Sequence, residues 1–295
     1  DGSFCKFLYG NRFNIVNDEN HSKAYANFSY KNDDYIYEAT VIGSKVKVND
    51  NPQSPSYPAL PFLSRKIQPN QGGSPFNVPV TWYGRPLGSE FSSPFSPKDI
   101  EQFNLSQKIN TNINETTELE ASLTISSHSN DHYRPDIIDS RFLEALNGTT
   151  LGQSNGNLVY WNIFDSSQNS QELIDYVRGA EVSSKDASLN NLGLIFRSEN
   201  DGYEIAYGFQ YNNEKLKITY EDKSTDEFDG DKKIIKSADL FFLGGGINLS
   251  KNRNNYAAFF EIQPKPIENL DLKIAGRFEE FENDSSFDAK FPFKY

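Results

Sequence analysis

The stretch Tyr203-Glu-Ile-Ala-Tyr-Gly-Phe-Gln-Tyr-Asn212 indicates the fold of this chain more clearly than any other part of the sequence. Its odd-numbered positions are all aromatic or aliphatic, whereas its even-numbered positions are polar or small. Successive side chains of a β-strand point to opposite faces. This period of two therefore predicts a strand that separates an apolar from a polar environment.

The same alternation recurs along the chain and predicts an all-β fold. Leu119, Ala121, Leu123 and Ile125, for example, alternate with polar residues. About nine such runs, roughly 8 to 18 residues long, are recognisable. The clearest alternation within them covers residues 24–31, 35–44, 103–113, 119–126, 192–196, 203–220, 256–262, 270–278 and 287–295. A strand that crosses a membrane at a tilt of about 45° needs roughly 9–11 residues, so these lengths suit a barrel wall.

Short and long links alternate between the predicted strands. Residues 32–34, 114–116, 199–202 and 264–268 have the polar composition of tight turns. Residues 47–102, 128–188 and 221–254 predict three long loops without regular structure. Tight periplasmic turns on one rim and long extracellular loops on the other are typical of a transmembrane barrel. After Tyr211 the apolar residues move to even positions, which indicates either a bulge or another hairpin turn at Asn212-Asn213. A bulge is favoured, because an extra turn would break the alternation of short and long links.

Composition narrows the classes of function. The 295 residues carry a net charge of -12, which disfavours nucleic acid as a partner. A single cysteine, Cys5, excludes an internal disulfide framework and is either free or paired with a residue upstream. The chain contains no Met and ends at residues 291–295 inside an alternating run. We therefore expect residues 1–295 to be a fragment of a longer chain.

Several segments resemble TonB-dependent outer-membrane receptors. The resemblance is most specific in residues 242–250, 255–262, 266–280 and 287–295, where a Glu-Asn-Leu turn precedes a strand containing Ala-Gly-Arg-Phe-Glu. Residues 5–10, 13–16, 54–58 and 77–85 support it. The resemblance implies a fragment of a barrel domain of about 22 antiparallel strands, with the plug domain and the terminal strands absent.

The resemblance also implies a location and partners. The chain would lie in the outer membrane of a Gram-negative bacterium, in contact with lipid and with the plug domain of the same full-length chain. The TonB complex would couple through the missing N-terminal part to uptake of a scarce solute, such as a siderophore, cobalamin or a glycan. No cofactor, catalytic residue or enzymatic activity is implied.

Ligand capture would fall to the long loops, where aromatic and arginine side chains are the usual anchors. Trp82, Tyr83 and Arg85 in the first loop and Trp161 in the second are the candidates. The alternative is that these aromatic residues only pack the loops against their neighbours.

Other chemistry is not indicated. His128 and His132, with Asp131, have a metal-like spacing that requires a helix, but the stretch leaves a strand and enters a loop. The acidic residues between Asp226 and Asp231 lack the spacing of a calcium loop and predict a solvated cluster. Two other interpretations stay open for the whole protein: a passive porin or adhesin-like barrel, and a secreted β-rich binding protein. A soluble β-sandwich or solenoid would share the alternation.

Overall fold

The computed structural model describes residues 14–50, 65–88, 91–92, 94–264, 271–282 and 284–294. Within these residues, nine antiparallel strands form one sheet in which each strand pairs with the next one along the chain. The strands are β1 (Glu19–Lys31), β2 (Tyr35–Val48), β3 (Lys98–Asn114), β4 (Thr117–Ile137), β5 (Arg178–Asn200), β6 (Tyr203–Tyr220), β7 (Leu249–Pro264), β8 (Ile274–Phe281) and β9 (Asp284–Lys290).

This meander confirms the predicted all-β class and the predicted number of strands. The sheet is open, because β1 and β9 form its two edges. At one rim, the links 32–34, 115–116 and 201–202 are tight turns. In the first of these, the Asn32 side chain accepts hydrogen bonds from the backbone N–H groups of Asp34 (3.1 Å) and Tyr35 (2.8 Å). The predicted link at 264–268 lies mostly outside the described residues.

The continuous register divides the strand residues between two faces, because directly paired residues point to the same side. Leu123, Leu192 and Tyr211 are mutual partners and define the apolar face. Thr124, Asn191 and Asn212 pair with one another in the adjacent row and define the polar face.

The predicted bulge at Asn212-Asn213 is wrong. Both residues pair in unbroken register with β5 on one side and with β7 on the other. The apolar residues move from odd to even positions because, above Tyr211, they lie on the opposite face of the strand. The alternation of the backbone itself continues without a break. The ladder does shift register elsewhere, between Asn112 and Asn114 of β3.

The strands also extend further than the apolar alternation predicts. β4 continues to Ile137 and β5 begins at Arg178, so the predicted link at 128–188 shortens to residues 138–177. Beyond the apolar run both faces become largely polar and the alternation signal disappears, although the backbone ladder continues. The β8–β9 connection, 282–283, is short even though it lies at the rim of the long links.

The long links are not structureless, which corrects the prediction for them. Residues 138–177 contain α1 (Asp139–Asn147), a 3-10 turn (Ser166–Gln168) and α2 (Gln171–Val177). In the first long link, Arg65–Ile67 pairs with Val80–Trp82, and in the third, Glu227–Phe228 pairs with Ile234–Lys236. A further short pair, Asp271–Leu272 with Phe293–Lys294, lies near the opposite end of the wall. Among the described residues, no helix is long and apolar enough to cross a membrane.

The three long links share one hydrophobic core, and we call their described parts (65–88, 138–177 and 221–248) the loop layer. Phe142 packs edge-on against Trp161 (centroids 5.9 Å apart) and against Phe241 (5.6 Å), which brings the second and third links together. The first link contributes Ile67, Trp82 and Leu87 to the same cluster. The loop layer therefore folds as a single packed unit above the sheet.

Candidate functional site

A continuous apolar stripe crosses all nine strands on the apolar face. Large members of the stripe remain exposed, including Tyr207, Phe260 and Phe287. Globular domains rarely leave a contiguous apolar surface of this extent uncovered. By strand, the stripe consists of Ala24–Phe28–Tyr30 on β1, Tyr35–Tyr37–Val41 on β2, Phe103–Leu105–Ile109–Ile113 on β3, Leu119–Leu123–Ile125 on β4, Leu192–Leu194–Phe196 on β5, Tyr203–Tyr207–Tyr211 on β6, Tyr256–Phe260–Ile262 on β7, Ile274–Phe278 on β8 and Phe287–Ala289 on β9.

The stripe runs obliquely to the strands. We call the rim of the long links the upper rim, and the residues paired directly across successive strands a row. The upper margin of the stripe is Ala24 on β1, and the row of Ala24 continues across the sheet to Lys215 on β6. On β9 the margin is Phe287, whose row leads back to Phe209, six residues below Lys215. Six residues are ~20 Å along a strand, and eight inter-strand spacings are ~38 Å. The margin is therefore inclined by roughly 30° to the perpendicular of the strands.

Tyrosines are concentrated at the two margins of the stripe. Tyr30 and Tyr35 meet at the lower margin with centroids 5.7 Å apart, and Tyr203 lies at the foot of β6. Tyr211 and Tyr256 meet at the upper margin with centroids 5.0 Å apart. Aromatic girdles at both margins of an apolar band are a feature of lipid-facing barrel surfaces.

At the level of the stripe, the polar face carries paired charges and amides. Arg197 and Glu120 form an ion pair at 3.3 Å, and the Arg277 guanidinium donates to the Gln210 side chain at 3.0 Å. Higher up, the Asn212 amide donates to Asn255 at 3.1 Å and accepts from Asn191. This face is therefore built for contact with water or with polar protein.

Two carboxylates hold the third link of the loop layer in place: Asp136 joins it to the top of the wall, and Asp239 joins it to α1 of the second link. Asp136, near the end of β4, accepts from the backbone N–H groups of Phe242 (3.0 Å) and Leu243. Asp239 accepts from the backbone N–H of Ser140 (2.8 Å) and from its hydroxyl (2.6 Å) at the start of α1. Burial raises the pKa of Asp136 to about 6, although the backbone hydrogen bonds act in the opposite direction. The sequence did not single out either clamp, since a lone Asp in a loop carries no local signal.

The structure separates the four predicted ligand residues. Trp161 is fully buried in the loop-layer core, and Trp82 lies in the same core. Tyr83 is 56% exposed on the surface of the layer. Arg85 follows it by two positions, where the backbone N–H of Gly88 donates to the Arg85 carbonyl at 2.9 Å. The two tryptophans therefore organise the layer, and Tyr83 and Arg85 lie in the same segment.

The predicted loop position of the two histidines is wrong, because His128 and His132 both lie within β4. They point to the polar face ~13 Å apart along the strand, too far to share one metal ion. His128 Nδ1 lies 3.2 Å from the Gln102 amide, and His132 Nε2 lies 3.0 Å from the Ser96 hydroxyl.

The acidic run near residue 226 is engaged within its own loop. Asp229 accepts from the backbone N–H groups of Asp231 and Lys233, each at 2.9 Å. Asp226 accepts from the backbone N–H of Ala238 at 2.7 Å. Within the described residues, no group of three or more His, Cys, Asp or Glu side chains is arranged to hold a metal ion. Cys5 lies outside the described residues.

Comparisons with known proteins add structural neighbours. No family model and no curated protein matches the sequence. The structure is similar to the outer membrane transporter YddB of Escherichia coli, with a TM-score of 0.47 and 9% identity over 92% of this chain. It is also similar to two variants of the ferric enterobactin receptor PfeA of Pseudomonas aeruginosa, with TM-scores of 0.31 and 0.25 and identities of 9% and 10%. The chain spans 29% of the length of the first and 41% of each of the others.

Proposed function

We propose that this chain is a section of the wall of an outer-membrane transport barrel in a Gram-negative bacterium. The oblique apolar stripe carries the proposal. A flat hydrocarbon slab crossed by tilted strands requires such a stripe, and barrel strands tilt by about 35–45°. The polar face would line the route of the solute, and the loop layer would form its extracellular cover.

The opposite composition of the two faces supports this orientation. Strands cross a membrane only in a closed barrel, where every backbone group is paired. The open edges at β1 and β9 would therefore pair with further strands. A soluble β-sandwich would instead cover the stripe with a second sheet, and no described residue packs over the stripe as a second sheet.

Site-directed labelling tests the orientation in lipid vesicles. In a Cys5→Ser background, Leu123→Cys and Thr124→Cys place thiols on adjacent residues of opposite faces. We expect a water-soluble maleimide to label the cysteine at position 124 at least ten times faster than the one at 123. We also expect brominated acyl chains to quench a bimane probe only at 123. Similar labelling rates at both positions would overturn the proposal.

We further propose that the barrel works as a TonB-energised receptor for a scarce solute, with a plug domain in the same full-length chain. The sequence resemblance in residues 242–250 and 266–280 supports this. An enzymatic role is not proposed. Tyr83 and Arg85 would contact the solute as it enters, as aromatic and arginine anchors.

Bilayer conductance of the full-length protein separates the receptor from its alternatives. A plugged receptor carries no steady current until urea releases the plug, whereas a passive porin conducts at once. A secreted β-rich binding protein would stay monodisperse without detergent. Steady conductance in the absence of urea would contradict the plugged receptor, but it would not contradict the proposal that the chain forms part of a barrel wall.

A further inference from the structure

Above the stripe, the polar face contains a concave site of about 680 Å³, which we call the wall pocket. On the polar face its apolar side chains are Ile42, Ala187, Leu189 and Leu216, and its charged side chains are Glu214, Lys251 and Arg253. Phe103 and Lys215, which the register assigns to the opposite face, also line it. Pockets of 300–1,000 Å³ that combine apolar walls with a few polar groups are typical of small-molecule sites.

The apolar side chains of the wall pocket are exposed where the rest of this face is polar. Ile42, Leu189 and Leu216 are 45%, 38% and 41% exposed. Leu216 follows the parity change at Asn212, so it points to the opposite side from Tyr211 and the lipid-facing stripe. These residues cannot contact hydrocarbon in the proposed orientation. Burial of this surface against an apolar part of a ligand would favour binding.

The charges around the wall pocket are predominantly positive, although the chain as a whole is acidic. On the polar face, four rows of paired residues begin at Glu19, His21, Lys23 and Tyr25 of β1. Together these rows contain five Lys or Arg and two Glu. Glu214 is paired with Arg253 at 3.1 Å, and Glu19 with His21 at 3.0 Å. The remaining cations, which form no ion pair with a described residue, are Lys23, Lys98, Lys185 and Lys251.

His132 lies in the Glu19 row, and the same positive charges affect its protonation. Burial, and to a smaller extent the neighbouring charges of Lys98, Arg134 and Lys185, lower its pKa to about 4. Neutral amide and hydroxyl groups, including Gln102 and Asn104, line the side of the pocket towards β3.

We propose that the wall pocket binds a small organic anion with an apolar body, held by Lys251 at its charged end and by Leu189 and Leu216 along its body. The inference rests on the proposed function for its orientation and specifies the class of solute that the wall accepts. Charge complementarity selects the anion, and the exposed leucines select a ligand with a hydrophobic surface.

Binding of 1-naphthyl phosphate to the detergent-solubilised full-length protein tests the proposal, with 1-naphthol and inorganic phosphate as probes that lack the charge or the ring. We expect saturable binding of 1-naphthyl phosphate, at least tenfold tighter than that of either partial probe. Lys251→Gln should weaken binding about tenfold, because a charge-assisted hydrogen bond is lost. The matched variant Lys217→Gln, on the opposite face of the adjacent strand and outside the pocket lining, should change affinity less than twofold.

Each contrary outcome has its own meaning. Absence of saturable binding, together with the expected labelling at positions 123 and 124, overturns the wall pocket and leaves the barrel orientation standing. Equal weakening by Lys251→Gln and Lys217→Gln places the probe elsewhere and also overturns the pocket. Fluorescence of Trp82 and Trp161 verifies in each variant that the loop layer is folded.

Discussion

Replacing Leu194 with Arg measures directly whether the apolar face contacts lipid. Leu194 is the middle of the three apolar residues that β5 contributes to the stripe, and its cross-strand partners are Ala121 and Phe209. An arginine on the lipid-facing surface near the bilayer midplane costs about 2–4 kcal/mol. Since about 1.4 kcal/mol corresponds to a tenfold change in an equilibrium constant, the equilibrium constant for folding should fall by roughly 30-fold to nearly 1,000-fold.

The neighbouring substitution Ile195→Arg is the matched control. Ile195 is an isomer of leucine on the opposite face, and its cross-strand partners are Glu120 and Gly208. A new arginine there stays in a polar environment beside a carboxylate. We expect a loss of about 1 kcal/mol or less, as for a surface substitution with partial loss of packing.

The assay is reversible urea unfolding in lipid vesicles, followed by far-ultraviolet circular dichroism of the wall. The midpoint should fall markedly for Leu194→Arg and little for Ile195→Arg. Equal losses would mean that both faces have the same surroundings. A larger loss for Ile195→Arg would mean that the polar face is the packed one, and the membrane orientation would then be wrong.

Three further predictions concern the loop layer and the wall. Phe142→Ala should destabilise the loop layer by about 3–5 kcal/mol, because a fully buried ring is removed from between Trp161 and Phe241; tryptophan emission should shift to the red while the circular dichroism of the wall persists. The raised pKa of Asp136 predicts a contribution to stability that is present below about pH 4 and is lost as the pH rises through about 6. The urea midpoint, followed by tryptophan fluorescence, should therefore fall over this pH window in the parent chain and much less in Asp136→Asn. Gly208→Ala should destabilise the wall by about 1–3 kcal/mol, because a Cβ there would meet the Leu194 carbonyl oxygen at 2.4 Å, whereas Gly202→Ala, which faces open space, should have almost no effect on the midpoint.

Local pattern was sufficient to predict the wall and insufficient for what lies above it. Tyr203 to Tyr211 revealed a two-sided strand because lipid-type and polar surroundings impose a period of two on the side chains. Above Tyr211 the surroundings change, so the apolar residues appear on the other parity, and the sequence alone suggested a bulge that the register excludes. His128 and His132 were assigned to a loop for the same reason, since a strand that is polar on both faces has no periodic signal.

The sequence by itself determined the all-β class, the strand count and the tight turns at one rim, because each depends on neighbouring residues in one strand or turn. Only the tertiary structure decided that Trp82 and Trp161 are core residues and that Asp136 clamps the third link. It also placed Lys251 beside Leu216 on the polar face. These contacts join residues far apart in the chain, and packing between separate links leaves no periodic trace in any one of them.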